Sequence, residues 1–350
     1  MSAPGEAKDA SMSAPLLRVE GLRTHFFTKA GVVKAVDDVS FIVNKGEVLG
    51  LVGESGSGKS MTGYSIMGLI DPPGKIVTGK IELNGRDLHA LSAEDMRQLR
   101  GNRIAMIFQD PMMTLNPVLR IDVQMVETIL AHEKIARGAA LERARAALVK
   151  VGIPSPDERL LAYPHQFSGG MRQRVAIAIA LLNNPDLIIA DEPTTALDVT
   201  IQGQILFEMQ KLTRETGAAM IWITHDLSVV AGLADRVCVM YAGRIVERGT
   251  TFDVLTRPWH PYTQGLLDSV PSRSARGARL NQIPGMTPSV LDLPPGCAFR
   301  DRCARATEEC AASPGMREPD GGGHGVRCFH PLSDLAGAAR AGAVARGAPS

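Results

Sequence analysis

The sequence predicts an α/β fold built on a mainly parallel sheet. Three observations predict it: strand-like and helix-like segments alternate, one segment is apolar on both faces, and a Gly-rich loop joins that segment to a helix. Leu16 to Glu20 and Val39 to Val43 alternate as half-buried strands do. Val48 to Val52 is continuously apolar, the pattern of a strand buried on both faces. A helical stretch runs from Lys59 to Ile70 and stops near Pro72-Pro73-Gly74. Further strands are expected at Arg103 to Phe108, Leu187 to Ala190, Ala219 to Thr224 and Val237 to Tyr241. Helices are expected between them, at Leu141 to Val151, Gly170 to Leu182 and Gln202 to Thr213.

Composition narrows the function. The 350 residues are 45% hydrophobic, enough for a packed core and too many for wholesale disorder. Lys and Arg total 38 against 37 Asp and Glu, so a net charge of +1 supplies no global field for nucleic acid. Aromatics are only 4%, which argues against base-stacking platforms. Residues 1–15 lack the apolar core of a secretory signal, and no apolar run approaches the ~20 residues that span a bilayer. Any service to a membrane is therefore expected to pass through a partner. The division expected is an unstructured 1–15, a main α/β domain over 16–270, a Cys-containing extension over 271–331 and an unstructured 332–350.

Chemistry concentrates first in Gly53-Glu54-Ser55-Gly56-Ser57-Gly58-Lys59-Ser60, which satisfies G-x-x-x-x-G-K-[ST] directly after the Val48 to Val52 strand. Gly53, Gly56 and Gly58 let backbone N–H groups turn toward a phosphate, and the following helix adds positive potential. Ser55, Ser57 and Met61 complete the lining. Lys59 is expected to reach the β- and γ-phosphates and the Ser60 hydroxyl to ligate Mg²⁺. Leu187 to Glu192 is an apolar run ending in two acids, as a buried strand does at the carboxyl edge of a sheet. Asp191 suits a water-mediated Mg²⁺ contact, and Glu192 suits a general base acting on water.

A third element, Phe167-Ser168-Gly169-Gly170-Met171-Arg172-Gln173-Arg174, opens the helix before the acidic strand and forms a second anion site. With it the chain resembles the ATP-binding cassette (ABC) family. That resemblance implies a P-loop NTPase core with an antiparallel β subdomain and an α-helical signature subdomain at about 110–180. It implies ATP and Mg²⁺ as ligands, and a dimer in which Ser168, Gly169 and Gly170 meet the nucleotide of the other cassette. It implies a Q-loop role for Gln109, a D-loop role for Asp198, a switch role for His225 and adenine stacking for Phe26, with Phe27 as the alternative. Met171, Phe167 and Met61 depart from common family residues without removing a catalytic group.

The segments Phe108 to Pro117, Tyr163 to Arg174, Ala190 to Val199 and His260 to Leu267 look like the dipeptide and oligopeptide importer branch. The branch implies an ATPase at the cytoplasmic face of the inner membrane, with two permeases, a second and different ATPase subunit, and an extracytoplasmic solute-binding protein. Related importers of nickel, opines or glycosides are the alternative, and a soluble ABC ATPase a more distant one. Cys297, Cys303, Cys310 and Cys328 are spaced C-x5-C-x6-C-x17-C, unlike most zinc modules. The resemblance implies a [4Fe–4S] cluster there, with zinc and unligated thiols left open. Cys238, in an apolar strand, reads as core.

Overall fold

The computed structural model describes residues 14–194, 199–270 and 282–332. Asp198 lies outside the described residues, as do 1–13, most of the tail after Pro331 and the stretch 271–281. The strands are β1 (Leu17–Thr28), β2 (Gly31–Val43), β3 (Val48–Val52), β4 (Gly74–Leu83), β5 (Arg86–Asp87), β6 (Ile104–Ile107), β7 (Leu187–Asp191), β8 (Ala219–Thr224), β9 (Arg236–Tyr241), β10 (Arg244–Thr250) and β11 (Gly325–Val326). The helices are α1 (Lys59–Met67), α2 (Ala93–Leu99), α3 (Ile121–Leu130), α4 (Arg137–Lys150), α5 (Pro156–Leu160), α6 (Gly169–Leu181), α7 (Val199–Thr216), α8 (Leu227–Leu233), α9 (Thr251–Thr256) and α10 (Pro261–Asp268).

Two sheets carry the chain. The larger runs β11-β10-β9-β3-β8-β7-β6, parallel from β9 through β6 and antiparallel at the β10–β11 edge. Its inner strands β3, β7 and β8 are buried at every position, which is why they read as unbroken apolar runs. The smaller antiparallel sheet runs β2-β1-β4-β5. Leu17, Val19, Leu22, Val39 and Phe41 on it share one core with Leu49 and Leu51 of the large sheet. A separate apolar cluster runs from Leu115 to Leu182 and holds α3, α4 and α6 together through Ile121, Met125, Ala144, Leu148 and Val175. No helix among the described residues is long and apolar enough to cross a membrane.

Several elements differ from the sequence reading. Helix α1 stops at Met67, three residues early, because Gly68 takes a left-handed conformation with φ 63° and bonds back to Ser65 and Tyr64. Strand β4 was not expected, since only its last residues alternate in burial, after an exposed stretch from Val77 to Lys80. Strand β10 hides behind Arg244, Glu247 and Arg248. Glu247 is fully buried, accepting from the Trp259 and His260 backbone N–H groups at 2.6 and 2.8 Å and facing His324 at 2.8 Å. Helix α3 was also unexpected, although Ile121, Met125, Val126 and Ile129 carry a helical spacing on one buried face.

The Cys-bearing tail is not detached from the rest. Strand β11 pairs with β10, Phe299 joins a core with Val52, Val239, Tyr241 and Tyr262, and Arg327 pairs with Asp38 at 3.0 Å. A segment too poor in apolar residues to build its own core thus packs on one that exists.

Candidate nucleotide site

Strand β3 lies between β9 and β8, where the order of the large sheet reverses direction. Loops leaving the carboxyl ends of strands diverge at such a point and leave a crevice. Residues 53–58 occupy it. Two glycines there admit no side chain. A Cβ on Gly53 would stand 2.2 Å from the Met240 carbonyl, and one on Gly58, at φ 100°, 2.2 Å from the Ala35 carbonyl. Helix α1 starts directly after Gly58, so its unpaired N–H groups face the crevice.

The crevice holds a pocket of about 810 Å³, lined by Ser55, Gly56, Gly58, Lys59, Ser60 and Met61 on one side and by Gln109, Glu192 and His225 opposite. Its volume suits a ligand of nucleotide size. Lys59 is buried and donates to the carbonyls of Gly53 and Glu54 at 2.8 and 2.9 Å. Burial pushes its pKa down, and Glu192, Asp191 and Glu54 pull the other way. Ser60 Oγ donates to Asp191 Oδ1 at 2.9 Å. Burial, with Glu192 adding repulsion, pushes the Asp191 carboxyl up to about 6 against the Ser60 hydrogen bond and the Lys59 charge.

Three expected residues meet at the pocket mouth. Gln109 Nε2 donates to Glu192 Oε2 at 3.2 Å, and His225 Nδ1 lies 3.1 Å from Glu192 Oε1. Glu192 itself sits in the left-handed region at φ 44°, a conformation costly for a side chain of its size. Phe26 lines the pocket with Val33 and Ala35, and its ring covers Gly74. Phe27 points elsewhere, under the Lys75 ammonium at 5.0 Å from its ring centre. Ser168 caps α6 by accepting from Met171 N at 3.3 Å, and Ser168 and Gly169 are exposed away from the pocket.

Beside Val33 and Ala35, further lining or bracing residues escaped the sequence reading. Leu266 and Val290 line the pocket, while Tyr262 and Arg302 brace Glu54 from behind. Val290 and Arg302 carry no local signal, because the docked tail brings them in, while Tyr262 and Leu266 come from α10.

The four tail cysteines converge without closing into a ligand set. All line one narrow cavity of about 10 Å³ with His260 and His330. Yet among the described residues no group of three or more His, Cys, Asp or Glu is arranged to hold a metal ion. This is where the expectation of an assembled cluster site departs from the structure. Burial raises the Cys297 and Cys303 thiols and, with the neighbouring thiols, pushes Cys328 up to about 11. Cys238 is wholly buried in β9, in keeping with a core role.

A parallel sheet whose central strand opens through a glycine loop onto a helix, with acids at the next strand ends, defines a P-loop NTPase. The family model described as ABC transporter matches residues 36–195, and that described as oligopeptide/dipeptide transporter, C-terminal region, matches 246–310. The oligopeptide transport ATP-binding protein OppD of Escherichia coli is 48% identical over 320 residues, covering 91% of this chain and 94% of the relative. The dipeptide transport ATP-binding protein DppD of Bacillus subtilis is 52% identical over 296 residues, covering 84% and 88%. Among solved structures, the dimeric ATP-binding cassette MJ0796 in a post-hydrolysis state bound to ADP and Pi superposes with a TM-score of 0.62 at 26% identity, covering 67% of this chain and 98% of that one. The cbiO1 cassette of Clostridium perfringens gives 0.59 at 26% identity, covering 70% and 92%. The chain belongs to the ABC transporter family of ATP-binding proteins.

Proposed function

We propose that this chain is the ATP-hydrolysing subunit of a peptide importer and that its residues act in the roles the family pattern gives them. The observation that carries this is the meeting of Gln109, Glu192 and His225 over Lys59 and Ser60 in one pocket. Glycine-loop amides, the α1 N-terminus and Lys59 bind the phosphates. The oxygen-bearing set of Ser60, Asp191 and Gln109 suits a hard cation: Ser60 and Gln109 would hold Mg²⁺, with Asp191 reaching it through a water. When bound, that ion neutralises phosphate charge. Glu192 takes the proton from the attacking water, and His225 orients that carboxylate and meets the γ-phosphate. Phe26 offers a face to adenine.

Ser168, Gly169 and Gly170 complete the site of a second cassette, since they stand outside the pocket of their own chain. The partners that follow are two permeases, a second ATPase subunit of a different chain and an extracytoplasmic solute-binding protein, with this chain peripheral at the cytoplasmic face of the inner membrane. Peptide as the cargo is supported by the relatives, which are named for oligopeptide and dipeptide transport. Proteoliposomes carrying the assembled transporter should accumulate labelled peptide only with ATP. Uptake of nickel, an opine or a glycoside in place of peptide would overturn that cargo.

The four tail thiols match a [4Fe–4S] cluster in donor type only: among the described residues no group is arranged to hold a metal ion, and a cluster on Cys297, Cys303, Cys310 and Cys328 would need them to draw together. Burial raises the Cys297, Cys303 and Cys328 thiols, and a cation bound to them would deprotonate them. Chain purified without oxygen should carry iron and sulfide, and should lose both when Cys303 becomes Ser. Zinc, or no metal, in that preparation would reject the cluster.

A further inference from the structure

An acid stands second in a loop that must cradle a highly charged polyanion. Glu54 is that acid, and among the described residues Arg302 and Thr287 of the docked tail hydrogen-bond its carboxylate. Arg302 grips it with two bonds, Nη1 to Oε2 at 2.6 Å and Nη2 to Oε1 at 3.0 Å, and Thr287 Oγ1 donates to Oε2 at 3.0 Å. The Glu54 backbone N–H donates to Tyr262 Oη at 2.8 Å. Arg302 is itself held in place. Its side chain is 6% exposed, its Nε donates to the Pro284 carbonyl at 2.9 Å, and its guanidinium lies near the Tyr241 and Phe299 rings, 5.8 and 5.9 Å from their centres. A fork of this kind fixes a carboxylate in direction as well as in charge.

Position matters because Lys59 depends on the same residue. Its ammonium donates to the Glu54 carbonyl, and the Glu54 carboxylate is among the charges acting on it. An unpaired Glu54 carboxylate would repel incoming phosphates and compete with them for Lys59. The tail also supplies a wall of the pocket through Val290, next to Leu266 of α10.

Resting on the ATP-binding reading above, we infer that Arg302, next to Cys303 in the tail, is a positioning residue of the nucleotide site. It neutralises Glu54 and so leaves the glycine loop and Lys59 free for the phosphates. The cysteine-bearing extension is in this sense part of the ATP site.

The test uses purified full-length chain, with dissociation constants for ATP, ADP, AMP and inorganic tripolyphosphate read by competition against a fluorescent ATP analogue. Arg302→Gln should weaken ATP and tripolyphosphate about tenfold, ADP less and AMP within about twofold, because the penalty grows with phosphate charge. Adding Glu54→Gln to it should restore ATP affinity to within about twofold of wild type. Glu54→Gln alone, which leaves Arg302 in place without its carboxylate, should bind ATP about threefold tighter than wild type. Equal losses for ATP and AMP, no rescue in the double variant, or weaker ATP binding by Glu54→Gln alone would each overturn the assignment. Wild-type chain that binds neither ATP nor tripolyphosphate would instead overturn the underlying reading of the site.

Discussion

Glu192→Gln is expected to cut ATP turnover by about 10²–10⁴-fold while leaving ATP affinity within about twofold of wild type. The substitution keeps the side-chain shape and one oxygen to accept from Gln109 Nε2, now 3.2 Å from the carboxylate. It removes the one basic oxygen pair that faces both Gln109 and His225 at the pocket mouth. Binding and chemistry should therefore separate, which is the sign of an interaction needed only in the transition state. If ATP joins two cassettes through the phosphate loop of one and Ser168 to Gly170 of the other, the slow variant should accumulate as an ATP-bound dimer on size-exclusion chromatography. Turnover at the wild-type rate would dismiss Glu192 as the base.

Lys59→Ala is expected to weaken ATP binding by at least about 100-fold without lowering the melting temperature. Binding suffers because, among the described residues lining the pocket, Lys59 is the one Lys or Arg, beside Gly58 and Ser60. Stability should hold because the buried ammonium is costly to keep. Its hydrogen-bond partners are the Gly53 and Glu54 carbonyls at 2.8 and 2.9 Å and the Ser57 hydroxyl at 3.4 Å, and burial lowers its pKa. Removing it takes away a desolvated charge together with its bonds. Calorimetric titration with ATP and a thermal melt on the same sample would check both halves. Affinity within threefold of wild type would remove Lys59 from the phosphate site.

Much of the site was legible before any coordinates because its rules are local. Gly56 and Gly58 take φ values of 77° and 100° in a tight loop, and that loop sits between a strand and a helix whose patterns are strong. The same holds for the paired acids that end β7 and for Ser168 at the start of α6. The resemblance put Phe26 ahead of Phe27 for the adenine contact, and it is Phe26 that lines the pocket. Strand β10 was not legible, since a buried Glu247 reads as an exposed one until His324 and two backbone N–H groups arrive from distant parts of the chain. How the Cys-containing extension docks was likewise not legible, because its few apolar residues have nothing to pack on until the core of Val52, Tyr241 and Tyr262 is present.

From its own residues, then, the chain declared a phosphate loop, its flanking strand and helix, and the kinds of side chain that gather around a nucleotide. Those properties depend on neighbours a few bonds away, where backbone sterics and helix ends act without help. Folding alone decided which acid meets which base. Glu192 lies 83 residues from Gln109 and 33 from His225, and Arg302 lies 248 from Glu54. Charges at such separations recognise each other only after burial has lowered the dielectric around them and the sheet has brought their loops to one edge.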